Sequence, residues 1–211
     1  MNPTVAYLAS SGEVRVRLTA KAATRGDAED LIAPLAEEVA KRLAPHVFTT
    51  GDEELEQVVG RELRARRKTV ACAESLTGGG LAARLTRAPG ASEYFLGSAV
   101  TYIARAKRDV LGVSQEIIDG PGVVSEECAR AMASGARKLF GADVAVALTG
   151  VAGPESHGGQ PPGQIWIAID ADDAHEARGF RAPGDRDQVR RWAEQGALDL
   201  LRRYLEGTLS P

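Results

Sequence analysis

The chain has 211 residues, of which 44% are apolar and 26% charged, with a net charge of −3 and only 5% aromatic side chains. These are the proportions of an ordinary globular protein, long enough for one large domain or a medium domain and a small one. They exclude a membrane-spanning chain, because no apolar run approaches the roughly 20 residues that cross a bilayer, and they offer no clustered basic excess for nucleic-acid phosphates.

The N-terminal run Met-Asn-Pro-Thr-Val-Ala-Tyr has no basic n-region and no apolar h-region, so it is not a signal peptide. Residues 1–50 read as a small β-β-α-β unit. Val5–Leu8 and Val14–Leu18 are predicted strands around the turn Ser10-Ser11-Gly12-Glu13. In the second, apolar residues alternate with arginines, as on a strand with one wet face. Asp27 to Leu43 has helical spacing through Leu31, Leu35 and Val39. Pro45 stops it, and Val47–Thr49 is a predicted short strand. The polar break Gly51-Asp52-Glu53-Glu54 sets a domain boundary, giving a small domain over 1–51 and a larger one over 52–211.

Leu55–Arg66 is a predicted amphipathic helix, and Thr69–Ala73 a buried strand. A helix over Leu81–Thr86 follows Gly78-Gly79-Gly80. Ala99–Tyr102 is a predicted strand and Arg105–Leu111 a helix. Glu126–Phe140 is an alanine-rich helix with Ser125 as its N-cap. Asp143–Leu148 is a strand. Ile165–Ile169 and Glu176–Phe180 form a hairpin across the acidic turn Asp170-Ala171-Asp172-Asp173, and Arg186–Tyr204 is the closing helix. Alternating strands and helices predict an α/β domain over 52–211. Cys72 and Cys128 fall in apolar or helical patterns and are expected to be buried, reduced thiols. Together with the missing signal and membrane segments, this predicts a cytoplasmic location.

The first chemical candidate is Ala73-Glu74-Ser75-Leu76-Thr77-Gly78-Gly79-Gly80. A strand ends, a serine sits at the turn, glycines follow and a helix begins. A nucleophile there faces the cleft beyond the strand ends, with backbone N–H groups at hand for an oxyanion. The same pattern describes a serine or threonine that only caps the helix, and pattern alone favours the cap. A serine nucleophile needs a base. His46, His157 and His175 all fall in loops or at element ends, which favours a lysine whose pKa is lowered by burial. Lys107 follows a largely apolar stretch, although pattern alone favours a solvated helix position for it. Thr149-Gly150-Val151-Ala152-Gly153-Pro154 ends a strand in glycine-rich backbone, either a ligand loop or a plain turn. Arg186 opens a helix, available to an anion or to a surface ion pair. Asp170, Asp172, Asp173 and His175 read as a solvated hairpin turn, and no metal site is expected.

Taken in order, several stretches resemble the CinA family, specifically its C-terminal nicotinamide mononucleotide deamidase (PncC) domain. They are Ala-Glu-Ser-Leu-Thr-Gly-Gly at 73–79, Pro-Gly-Ala-Ser at 89–92, Val-Thr-Tyr at 100–102 with Lys107, Leu-Gly-Val at 111–113 and Val-Ser-Glu-Glu at 124–127. Thr-Gly-Val-Ala-Gly-Pro at 149–154, Gly-Gln-Ile-Trp-Ile-Ala at 163–168 and Pro-Gly-Asp-Arg at 183–186 complete the set. Residues 1–50 resemble the family's small KH-type linker domain. The family's N-terminal molybdopterin-binding-like domain has no counterpart here, so a short form or a fragment is expected.

The resemblance implies a three-layer α/β/α deamidase domain after a small α+β KH-like domain. It implies hydrolysis of the carboxamide of nicotinamide mononucleotide to nicotinate mononucleotide and ammonia, with no metal or organic cofactor. By motif, Ser75 is the nucleophile and Lys107 its base, while Tyr102 and Ser92 assist the proton transfer or hold the lysine. Thr77, Gly78, Gly79, Thr149, Gly150, Gly153 and Arg186 bind the substrate. The sequence departs from the family's usual pattern at Leu76, at Ala91 and at Ile103-Ala104-Arg105.

Two other functions compete with this one. The KH-like segment prompts a competence-associated nucleic-acid module. Residues 1–50 contain no Gly-x-x-Gly loop and balance their charges, so nucleic acid is not the expected partner. The 103–105 departure prompts a nucleotide-binding scaffold without turnover. The expected partners are a small nucleotide and a second copy of the chain in a dimer, with no membrane contact.

Overall fold

The alternation seen in the first strands produces an antiparallel hairpin. In a computed structural model, which describes residues 2–10 and 12–209, β1 (Thr4–Ser10) pairs with β2 (Glu13–Thr19) from Thr4↔Thr19 to Ser10↔Glu13. Ser11, within the expected turn, lies outside the described residues. Helix α1 (Arg25–Leu43) opens on Thr24, whose hydroxyl accepts the Asp27 N–H at 3.2 Å. It ends at Ala44, extended at ψ 139 because the residue before a proline is excluded from the helical region. The strand expected at Val47–Thr49 is not formed. The sheet of this unit has two strands, and a three-residue run following Pro45 has too few ladder bonds to add a third. These elements belong to the first of two units, Met1–Glu53 and Glu54–Pro211.

The second unit follows the predicted alternation. Helix α2 (Leu55–Arg66) leads to β3 (Val70–Glu74), α3 (Gly80–Leu85), β4 (Phe95–Val100), α4 (Ala104–Leu111) and α5 (Gln115–Asp119). Then come α6 (Glu126–Phe140), β5 (Val144–Gly150), β6 (Gln164–Ala171), β7 (Ala174–Arg181) and α7 (Arg186–Glu206). The sheet order is β4-β3-β5-β6-β7, with β3 parallel to β4 and β5, and with β6 and β7 antiparallel.

Side-chain alternation sorts the two faces of this sheet. Ala71, Ala73, Ala145, Ala147 and Ala168 pack against Ala129, Met132, Ala133 and Ala136 of α6. Small residues on both sides bring the helix close to the strands. The alternate positions, Val70, Val146, Leu148, Ile167 and Ile169, are buried on the other face, which α7 covers along β5 and β6 with α2 packed beside it. The result is a three-layer α/β/α arrangement. Among the described residues no helix is long and apolar enough to cross a membrane.

Two local differences matter for the site. Strand β4 spans Phe95–Val100, not Ala99–Tyr102, because its parallel register with β3 runs from Val70↔Phe95 to Glu74↔Val100. Thr101 and Tyr102 therefore leave the sheet just past its edge. Helix α5, capped by Ser114, is too short for periodicity to reveal.

Candidate active site

Because β3, β4 and β5 run parallel, their C-terminal ends open at one edge of the sheet, the usual position of a ligand crevice in α/β folds. Ser75 is the first residue past β3. Its N–H donates to Leu148 O at 3.2 Å, and its carbonyl accepts the Gly78 N–H at 3.1 Å, so the turn is fixed on both sides. From the neighbouring strand end, Thr101 N–H donates to Glu74 O at 2.8 Å.

Lys107 reaches into this edge from α4. Its Nζ lies 2.9 Å from Ser75 Oγ and 2.7 Å from Thr101 O. The lysine is 1% exposed and the serine 7%. Burial lowers the Lys107 pKa from its ordinary value, because the ammonium loses its hydration. A charge on the nearby Cys128 would oppose that shift. Burial pushes the Cys128 thiol up to about 11, however, so it is neutral near pH 7 and leaves the lysine without a counter-ion from that side.

Glu74 holds the turn from the other side. It is fully buried, and its carboxylate accepts five hydrogen bonds. Three come from N–H groups of Gly79, Leu81 and Ala82, where α3 begins; the others come from the hydroxyls of Thr77 and Ser98. Gly78 (φ 60) and Gly79 (φ 100) lie in the left-handed region that glycine tolerates best. The loop is thereby closed around the carboxylate. Among the described residues, the N–H groups of Leu76 and Thr77 find no protein acceptor. Sequence reasoning did not assign Glu74 a role. The available signal was a carboxylate ending an apolar strand directly before the candidate nucleophile.

The remaining candidates divide by place. The Thr77 hydroxyl is consumed by Glu74, and Thr77 O accepts from Arg190 at 2.7 Å. The Thr149 hydroxyl donates to Val123 O at 2.6 Å. Gly150 must lack a side chain, since a Cβ there would lie 2.5 Å from Gln164 O and 3.2 Å from the Leu76 side chain. At the start of α7, Arg186 donates to Gly153 O at 2.9 Å and to Tyr102 Oη at 2.7 Å.

Two candidates stand outside the Ser75–Lys107 contact. Tyr102 is 55% exposed and its hydroxyl accepts from Arg186 at the rim. Ser92 is exposed in a 3₁₀ turn (Ala91–Glu93) that precedes β4, at the Val70 end of the sheet. The length of the strand, about 3.3 Å per residue, separates it from Ser75. Ser98, on β4 itself, is the serine that reaches the site, through Glu74. Two histidines of this unit have partners of their own: His175 Nδ1 sits 2.7 Å from Asp170 Oδ1 in the β6–β7 hairpin, and His157 pairs its backbone with Gln160. Among the described residues no cluster of His, Cys, Asp or Glu is placed to hold a metal.

Comparison with known proteins follows the same division. Residues 52–205 match the family model of the CinA C-terminal domain, and residues 1–49 match that of the damage-inducible protein CinA KH domain. A CinA-like protein of Frankia casuarinae is 45% identical over 206 residues, 98% of this chain and 48% of that protein. A CinA-like protein of Dictyoglomus thermophilum is 40% identical over 207 residues, 97% of this chain and 50% of its own length. The chain thus spans about half the length of the curated relatives it matches. Among solved structures, a CinA superfamily protein from Klebsiella pneumoniae aligns with TM-score 0.70 at 34% identity, covering 74% of this chain and 99% of that one. The competence/damage inducible protein CihA from Agrobacterium tumefaciens aligns with TM-score 0.67 at 32% identity, over 75% of this chain and 99% of its own.

Proposed function

The chain belongs to the CinA family, and from that premise we propose that it is a serine-dependent amidohydrolase that deamidates nicotinamide mononucleotide. One observation carries the reading: a buried amine with a lowered pKa, 2.9 Å from a serine hydroxyl at the open edge of a parallel sheet. A neutral lysine at that distance is a base for the serine, and Thr101 O orients it by accepting one of its N–H bonds.

In this mechanism Ser75 Oγ attacks the carboxamide carbon, and its proton passes to Lys107 Nζ. The carbonyl oxygen becomes an oxyanion, received by the unpaired N–H groups of Leu76 and Thr77. The tetrahedral intermediate collapses, the C–N bond breaks, and Lys107 returns the proton to the departing nitrogen, which leaves as ammonia. A water then attacks the acyl-serine. Lys107 takes the water's proton and returns it to Ser75 Oγ, releasing the carboxylate. Glu74 keeps the loop in place by its five hydrogen bonds. Arg186, tied to Gly153 and Tyr102 on the rim, is assigned to the phosphate, which a guanidinium binds in bidentate fashion.

The test is direct. Incubation of the purified chain with nicotinamide mononucleotide is expected to release ammonia and nicotinate mononucleotide in equal amounts. Nucleotide binding without ammonia release would instead make the chain a scaffold.

A further inference from the structure

The loop after Ser75 is held by Glu74 and also, from a distant part of the chain, by helix α7. Two observations place α7 directly against it. A Cβ on Gly80 would fall 2.1 Å from Glu194 Oε1, and Arg190 Nη2 donates to Thr77 O at 2.7 Å. Arg190 lies one helical turn after Arg186, on the same side of α7. The two arginines grip different parts of the site: Arg186 the rim at Gly153 and Tyr102, Arg190 the loop itself.

These holds converge on Thr77. The residue is buried, its hydroxyl is taken by Glu74, and its carbonyl accepts from both the Gly80 N–H and Arg190. Its own N–H is one of the two loop donors without a protein acceptor among the described residues. With hydroxyl and carbonyl both tied, that N–H is held at one angle. The other nitrogens of Arg190 are less well served. Nη1 stands 3.7 Å from Asp187 Oδ1, an exposed partner, and Nε is buried with no acceptor among the described residues. An unpaired buried donor costs stability, so stability alone does not account for an arginine here.

We propose that Arg190 is a positioning residue for the oxyanion: by fixing the Thr77 carbonyl it sets the angle of the Leu76 and Thr77 N–H groups that receive the charge developing on the carboxamide oxygen. The inference rests on the amidohydrolase reading. Arg190 acts through the loop and touches no reacting atom. A misaligned donor weakens the transition state more than the bound substrate, because the oxygen carries its full charge only after attack. Loss of Arg190 therefore lowers kcat and spares KM, the reverse of what is expected for Arg186 one turn earlier.

The experiment compares Arg190→Met and Arg190→Lys with the wild type on nicotinamide mononucleotide. It also measures affinity for two probes, the product nicotinate mononucleotide and the aldehyde analogue of the substrate. With the aldehyde, Ser75 Oγ bonds to the carbonyl carbon, its proton passes to Lys107, and the carbonyl oxygen becomes the oxyanion. Arg190→Met is expected to lose about tenfold in kcat, less than the loss of a whole oxyanion donor, with KM within about threefold of the wild type. Its affinity for the aldehyde should fall by a similar factor, and its affinity for the product should not. Its unfolding temperature should stay within about 8 °C of the wild type. Arg190→Lys keeps a charged donor and should recover kcat to within about threefold of the wild type. An undiminished kcat in Arg190→Met, equal losses of affinity for aldehyde and product, an Arg190→Lys protein as impaired as Arg190→Met, or a larger fall in unfolding temperature would overturn the inference while the amidohydrolase reading stands. A wild type that releases no ammonia overturns that reading, and the inference with it.

Discussion

The two sides of the Ser75 turn bury an acidic and a basic side chain in opposite ways. Glu74, on one side, is fully buried with five donors around its carboxylate. Lys107, on the other, is buried, and among the described residues its hydrogen-bond partners are Ser75 Oγ and Thr101 O, with no carboxylate beside it. A buried polar group with a full set of partners is held in one place, and it shapes the backbone that surrounds it. A buried amine without a counter-ion gives up its proton more readily, and so becomes a base. The contrast assigns scaffolding to the carboxylate and chemistry to the amine, and each assignment can be broken separately.

Substitution at Lys107 carries the largest expected effect. Lys107→Met should lower ammonia release by on the order of 10³-fold or more, as loss of a catalytic base does, and Lys107→Arg should not rescue it because a guanidinium stays protonated. In the wild type, kcat/KM should fall as pH drops through the lowered Lys107 pKa, since only the neutral amine accepts the Ser75 proton. The acid limb therefore lies below 10.5. Substantial turnover in Lys107→Met would break the assignment.

Glu74→Gln comes next. The amide NH₂ cannot accept the bonds that one carboxylate oxygen takes, so unfolding in denaturant should show a loss of about 1.5–3 kcal/mol. The loosened loop should also lower kcat by roughly 10- to 100-fold. A Glu74→Gln protein as stable as the wild type would contradict the scaffolding role.

A smaller effect is expected on the rim. Arg186→Ala should raise KM by about tenfold with kcat little changed, because it binds without touching the reacting atoms. Steady-state kinetics separate the two parameters, and a fall in kcat alone would move Arg186 into the chemistry.

The smallest effect sharpens the comparison by stability. The folded-state pKa of Lys107 lies below its unfolded value of 10.5. Between the two values the unfolded chain binds more protons, so this residue's contribution to wild-type stability rises with pH across that window. Lys107→Met lacks that cost and should be at least as stable as the wild type near pH 7, the reverse of Glu74→Gln. Thermal unfolding at several pH values checks the sign.

The sequence reading recovered what local patterns encode. Ser125 caps α6 with its hydroxyl 3.1 Å from the Cys128 N–H, and α6 keeps the predicted limits because its N-cap and the glycine at its end are both local signals. Ser75 and Lys107, 32 residues apart, were linked by family motifs and by the lack of a well-placed histidine, and the fold brings them into contact. Positions that depend on how strands associate carry no such local signal. Ser92 belongs to a motif lying between Ser75 and Lys107 in sequence, yet the parallel register of β3 and β4 puts it at the far end of the sheet. Tyr102 faces Arg186, 84 residues away, a pairing that no spacing announces. Glu74 went unassigned because a single acidic residue in a strand does not reveal its donors, four of which come from the following loop and helix.

Ser75→Ala is the measurement that reaches the central claim most directly. Ammonia release from nicotinamide mononucleotide is followed for the wild type and the variant side by side. The account predicts release by the wild type and its abolition in Ser75→Ala, with the variant still folded. Undiminished release by Ser75→Ala would contradict it.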